Sequence, residues 1–327
     1  MNTIGRAFAI LALPLALGAG AIADATAQDW PGKPVKIIAV FPAGGSVDQV
    51  ARPLAAQLTM QTGQSFIVDN RGGASGSIGT AAVAKADPDG YTLGVVFDTH
   101  AVNPSLIPNL PFDTLRDLTP LMLVGTGAMA LVTNVDQPYK SFRDIIAAAK
   151  AKPGSVSYGT IGAGSLGHLT MVQLGTRLGV EFNHIPYRGG GPLMNDAVAN
   201  QVPLAIGSVF LVSPHVASGR LRAIAVTSAK PDPKLPGAEP IASQGVPGFE
   251  AYTWWGVFGP GRMAPALSRR IYEELAKAVK APAVREKLTA QGMEVRGGSP
   301  EELDALQRQE IARWAKVIKD NNIKSGD

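Results

Sequence analysis

The sequence predicts a two-lobed α/β protein, each lobe a mainly parallel sheet flanked by helices, with a cleft between the lobes. Three observations carry this. Short apolar runs alternate with helical segments along the chain, the pattern of βαβ units. The chain of 327 residues, about 300 once an N-terminal leader is removed, exceeds the usual size of a single core. Two strand-to-helix turns of one design, FPAGGSVDQVAR at 41 to 52 and YGTIGAGSLGHLT at 158 to 170, stand far apart in sequence and suggest a ligand gripped from two sides.

Taken in order, the N-terminus places Arg6 before the almost uncharged run AFAILALPLALGAGAIA and the small residues Ala25, Thr26 and Ala27. This reads as a cleavable secretory signal peptide over 1–27, with the mature chain beginning near Gln28 and residing in the periplasm. A membrane anchor is the weaker reading, because the run is marginal in length and carries Pro14 and several glycines. The chain has no cysteine, and so no lipid-attachment cysteine, no disulfides and no thiolate metal site or nucleophile. Its net charge of +4 is scattered, without basic blocks interleaved with aromatics, so nucleic acid is not an expected partner. The balance leans weakly toward anionic small molecules.

Val35 to Val40 is an apolar run, and Val50, Leu54 and Leu58 follow the first glycines at helical spacing, giving strand, turn and helix. Further strands are expected at 65–68, 92–97, 121–124, 129–133, 204–206 and 221–226, with helices such as 141–151 and 192–200. The uncharged stretch between Asp117 and Asp136 is too rich in Thr, Gly and Pro for a membrane span. It reads as two buried strand segments, the second crossing between lobes. The Pro- and Gly-dense region 228–256 brings the chain back. Domain one is then discontinuous, 28–127 plus 253–327, and domain two is 128–252. Leu267, Ile271, Leu275 and Val279, and the capping pattern Ser299-Pro300-Glu301-Glu302, predict two C-terminal helices.

Each glycine turn is a candidate anion socket. Glycine permits close ligand approach, and the first helical N–H groups are unpaired at the positive end of the helix dipole. The candidate binding residues are therefore Phe41, Ala43, Gly44, Gly45 and Ser46 in one turn and Gly162, Ala163, Gly164 and Ser165 in the other. Asp48 either caps its helix or meets a ligand group at the rim. His168 either donates to a bound carboxylate or caps its turn. Arg188 either pairs a second carboxylate or forms a surface salt bridge, Trp254 and Trp255 either pack at a hinge or stack on a ligand, and the turn at 70–76 reads as structural.

Two enzyme readings compete. Residues 162–167 satisfy G-x-G-x-x-G, but no acid ends the next strand as a dinucleotide site requires. The same segment approaches a nucleophile elbow at Ser165, with Asp196 and His215 downstream in the order of an exported serine esterase. The four histidines have no metal-ligand spacing, so neither a metal nor a cofactor is expected.

The ordered blocks WPGKPVKIIAVFPAGGSVDQVAR, VDNRGGASGSIGTAAVAKADPDGYTLG, THAVNPSL, PFDTLRDLTPL, YGTIGAGSLGHL, IPYRGGGPLMNDAVANQVPLAIG, GRLRAIAVTSAK and WWGVFGP resemble the solute-binding proteins of the tripartite tricarboxylate transporter system, the TctC or Bug family, over the whole mature length. The resemblance implies a type II-like periplasmic binding protein, not an enzyme, that closes on a small carboxylated metabolite and hands it to membrane permease subunits. It further implies that the carboxylate lies between the loops at Phe41 to Asp48 and Gly159 to His168. The chain departs from the family pattern at Ser243 and at Ser208. Distal selectivity is expected from Asp98, Thr99, His100 and Ser208, at the C-terminal ends of strands. A periplasmic sensor serving a signalling receptor is the alternative role.

Overall fold

The computed structural model describes residues 30–321 and 323. The signal-peptide expectation over 1–27 and the start near Gln28 lie outside the described residues. The first half-sheet is assembled from β1 (Val35–Ala39), β2 (Phe66–Asn70) and β3 (Thr92–Phe97), parallel in the order β2-β1-β3. Every residue of β1 except Lys36 is buried, which explains its unbroken apolar run. The helices between these strands are α1 (Ser46–Thr62) and α2 (Ser77–Ala84), and α3 (Thr99–Leu106) follows β3. Helix α1 stops at Gly63, whose left-handed backbone (φ 72°) directs its N–H to the Thr59 carbonyl.

The stretch expected to hold two strand segments is one continuous strand, β4 (Leu118–Asn134). Its first part pairs with β10 (Tyr252–Pro260) and β11 (Glu294–Gly298), and its last part with β7 (Leu204–Ser208) and β8 (Leu221–Val226). The Gly125-Thr126-Gly127 sequence, which reads as a break, is instead a place of close approach. A side chain at Gly125 would lie 2.6 Å from the Glu294 carbonyl oxygen.

The second sheet runs β9-β8-β4-β7-β5-β6, with β5 (Ser157–Thr160), β6 (Asn183–Pro186) and β9 (Glu239–Pro240). Both sheets are mixed, and the reversed strands have a simple cause. A strand that leaves one sheet by its C-terminal edge enters the facing sheet by that sheet's C-terminal edge, and so lies antiparallel within it. This is the relation of β4 to β7 and β8, and of the returning β10 to β3. The C-terminal ends of both sheets therefore face each other across the cleft, where open α/β sheets place ligands.

The second sheet carries α4 (Phe142–Ala151), α5 (Leu166–Leu178), α6 (Gly190–Val198) and α7 (Val209–Ala217). Beyond β10, the described residues form three helices where two were expected: α8 (Pro265–Lys280), α9 (Pro282–Ala290) and α10 (Pro300–Asp320). Pro282 at the first position of α9 marks a new helix after one intervening residue. The Ser299–Glu302 capping box forms at the start of α10. Trp254 and Trp255 of β10 are buried, and Trp255 packs between Phe97 at 5.2 Å and Phe210 at 5.4 Å, so the pair serves packing where the two sheets meet.

Candidate functional site

Three helix N-termini meet between the sheets. Gly45 and Ser46 open α1, Gly190 opens α6, and Ser208 caps α7, and all four line a small inner cavity of about 10 Å³ walled by Phe41, Phe97, Met129 and Ile161. That is room for about one water molecule or one small ligand group. The first N–H groups of each helix have no intrahelical acceptor, and the three dipoles add their positive ends at one place. Ser46 is 8% exposed, and its hydroxyl forms no hydrogen bond among the described residues. The Ser208 hydroxyl accepts from the Leu211 N–H at 3.2 Å, which fixes the start of α7. The arrangement is a neutral, donor-rich socket suited to a carboxylate.

Phe41 and Ile161 also line an outer opening of about 270 Å³, shared with Ser75, Leu106, Ile107, Gly162, Ala163, Tyr187 and Arg188. The second glycine turn thus contributes Gly162 and Ala163 to the outer opening. Gly164, Ser165 and His168 line neither cavity. Gly164 packs against α3, and its N–H donates to His168 Nδ1 at 3.1 Å, while the Ser165 hydroxyl accepts from the His168 N–H at 3.4 Å. His168 also stacks on His184, ring centroids 4.0 Å apart. These bonds give both residues the capping role.

Ala43 and Gly44 are exposed beside the socket. Asp48 accepts from the Gly44 N–H at 3.0 Å and pairs with Arg52 at 2.8 Å. Burial works to raise its pKa, yet the bonds from Arg52, Gly44 and Asn70 prevail and hold its carboxyl below the usual range. Asp48 therefore organises the loop.

Asp98, Thr99 and His100 line neither cavity. They are buried, and α3 packs against α10. The Thr253 hydroxyl donates to Asp98, and His100 stands 4.8 Å from the Phe258 ring. Burial pushes the Asp98 carboxyl up to about 8; the Thr253 hydroxyl opposes this and the nearby Glu310 charge adds to it. Burial pushes the His100 imidazole down to about 4, outweighing the opposing influence of the nearby Gln307 side chain. Of the four residues expected to set distal selectivity, only Ser208 reaches a cavity.

The two buried groups imply a pH dependence of stability. Folded Asp98 keeps its proton from the ordinary value of 3.8 up to about 8, where the unfolded chain has lost it, so its contribution falls as pH rises. His100 works the other way between about 4 and 6.5, since there only the unfolded chain binds the proton. The contributions oppose up to pH 6.5, and Asp98 alone remains above it. Urea midpoints of the wild type should decline from pH 6.5 to 8, and Asp98→Asn should flatten that decline.

The turn read as structural carries a cleft residue that the sequence did not reveal. Ala74 (φ 45°) and Ser75 (φ 50°) are consecutive non-glycine residues in the left-handed region, a costly conformation held here by Asn103, which donates to the Ser75 carbonyl at 3.1 Å. The Ser75 hydroxyl then donates to the Ala163 carbonyl at 2.6 Å, joining the two sides of the cleft. Ser75→Ala should speed ligand release and weaken affinity by about 2- to 10-fold, the worth of one hydrogen bond. Stopped-flow dissociation rates would measure it, with the melting temperature of the unliganded protein unchanged.

The enzyme readings find no machinery. Ser165 is fully buried and used as a cap, Asp196 accepts from the Tyr187 hydroxyl at 2.9 Å, and His215 stands beside Arg220 at 3.3 Å. No hydrogen bond joins Ser165 to Asp196 or His215 among the described residues. The glycines of 162–167 serve close packing: a side chain at Gly167 would meet Ile206 at 2.9 Å.

Two α/β lobes exchanging strands, with helix N-termini converging on a small cleft, define a binding protein of the periplasmic type. The family model of the tripartite tricarboxylate transporter family receptor, TctC, matches residues 50–323. Protein BugT of Bordetella pertussis is 36% identical over 321 residues, 98% of each chain. The structure of the periplasmic binding protein BugD superposes with a TM-score of 0.86 at 31% identity, over 90% of this chain and 99% of that one. An R. palustris protein solved with adipate gives 0.85 at 33% identity, with the same coverage. The chain belongs to the TctC family, whose members are solute-binding proteins and not enzymes; the esterase and dinucleotide readings are thereby overturned.

Proposed function

We propose that the chain is exported to the periplasm, captures a small carboxylate between lobes 28–127 plus 253–327 and 128–252, and delivers it to the permease subunits of a tripartite tricarboxylate transporter. The observation that carries the reading is the inner cavity, where the buried Ser46 hydroxyl and three helix N-termini face one small space. Each terminus contributes about 0.3–2 kcal/mol, so tight capture needs all of them and hence the closed cleft. Ligand then acts by shifting an open-to-closed equilibrium. The adipate bound to the R. palustris relative supports a carboxylate as the ligand class.

A thermal-shift screen of the chain from Gln28 onward against mono-, di- and tricarboxylates and p-nitrophenyl esters tests capture. Stabilisation by carboxylates without ester turnover is the expected result, and ester turnover would contradict it. Delivery is tested by uptake of the stabilising acid in cells lacking the gene. Uptake should fall; unchanged uptake with a lost transcriptional response would assign the protein to a sensor instead.

A further inference from the structure

We infer that Arg52, which lines neither cavity, is a positioning residue for anion capture: it masks the Asp48 carboxylate beside the Ser46 socket and fixes Phe41 at the passage between the two cavities. The inference rests on the proposed carboxylate capture and concerns how the socket tolerates an acid at its edge. No charged residue lines the inner cavity, so the partial charges of the helix ends do the attracting. Asp48 stands two residues after Ser46 in the first turn of α1, with its side chain only 7% exposed. A bare carboxylate there would offset the positive end of the helix and repel an incoming anion.

Arg52, one turn further along α1, supplies the counter-charge. Its Nε donates to one Asp48 oxygen at 3.0 Å and its Nη2 lies 2.8 Å from the other, the two-pronged geometry of a guanidinium on a carboxylate. The same Nη2 donates to Asn70 Oδ1 at 3.0 Å, and Asn70 Nδ2 donates to the Phe41 carbonyl at 3.0 Å. Asp48 meanwhile accepts from the Gly44 N–H. One side chain thus ties both ends of the turn from Phe41 to Gly44, and Phe41 lines the inner cavity as well as the outer opening. An ordinary i,i+4 pair would end on its own helix, whereas this one continues through β2 into the socket loop. The charged residues that flank Asn70 on β2 do not take over the role, because Asp69 and Arg71 pair with each other at 2.9 Å.

The test is calorimetry with succinate, adipate, citrate and benzoate on the chain from Gln28 onward, comparing the wild type, Arg52→Gln and the double variant Asp48→Asn/Arg52→Gln. Arg52→Gln should weaken the tightest of these acids by about 3- to 10-fold, the effect of unmasking one partly screened charge. Its melting temperature without ligand should stay near the wild type's, because the Arg52 side chain is half exposed. The double variant should recover most of the lost affinity: it has no carboxylate left to mask, and asparagine keeps an acceptor for the Gly44 N–H. A merely structural role predicts the reverse, since the double variant lacks both halves of the pair and would bind no better than Arg52→Gln. That result, or wild-type affinity in Arg52→Gln, would overturn this inference while leaving carboxylate capture intact. Failure of every acid to bind the wild type would overturn both.

Discussion

Gly191→Ala is expected to abolish most ligand affinity while leaving the unliganded fold intact. Gly191 lies in the first turn of α6, and a methyl group there would stand 2.8 Å from the Ala43 carbonyl oxygen of the facing loop. The obstructing atom is backbone, which cannot swing aside as a side chain would. Gly191 is also outside the left-handed region, so alanine introduces no strain of its own. The added methyl acts as a wedge that is felt only when the cleft is shut. Overpacking of this kind costs about 1–3 kcal/mol, which becomes about a 5- to 150-fold loss of affinity when closure and binding are coupled. Calorimetry with the tightest-binding carboxylate should register that loss, and the melting temperature without ligand should match the wild type. A parallel fall in both would mean that Gly191 supports the fold and not closure.

Trp255→Ala should be the most destabilising single change. Trp255 is fully buried between Phe97, at the end of β3, and Phe210, in the first turn of α7, so its ring joins the cores of the two sheets. Truncating a buried tryptophan costs about 3–5 kcal/mol, from lost transfer energy and the cavity left behind. Because the ring bridges two sheets, its removal should also weaken their coupling. Urea unfolding followed by fluorescence and circular dichroism should shift to lower denaturant, and the two signals, expected to coincide in the wild type, should separate. Unfolding at the wild-type midpoint would contradict the bridging role.

The parts of the site legible in the sequence are those encoded by local pattern. The α1 socket follows from a strand running into glycines that open a helix, and the Ser299 capping box follows from residues three apart. Gly190 sits in a recognisable strand-to-helix turn, but its meeting with Gly45 depends on how two lobes face each other, which no local signal states. Ser75 was hidden for the same reason: its partner, Ala163, is on the other side of the cleft. Asp98, Thr99 and His100 stand at strand C-terminal ends, where ligands bind in general. Helix α10, two hundred residues later, covers α3 and takes them into the core. In sequence the second glycine turn looks like a socket equal to the first, yet Ser165 and His168 spend polar atoms on each other and on the turn. Sequence gives donors and acceptors; which of them remain unspent is a tertiary fact.

The most direct measurement is a crystal structure of the protein with the tightest-binding carboxylate. The account predicts a carboxylate in the inner cavity, within hydrogen-bond reach of the Ser46 hydroxyl and the first N–H groups of α1, α6 and α7. A carboxylate bound instead at Ser165 and His168, or on an outer face away from Ser46, would contradict it.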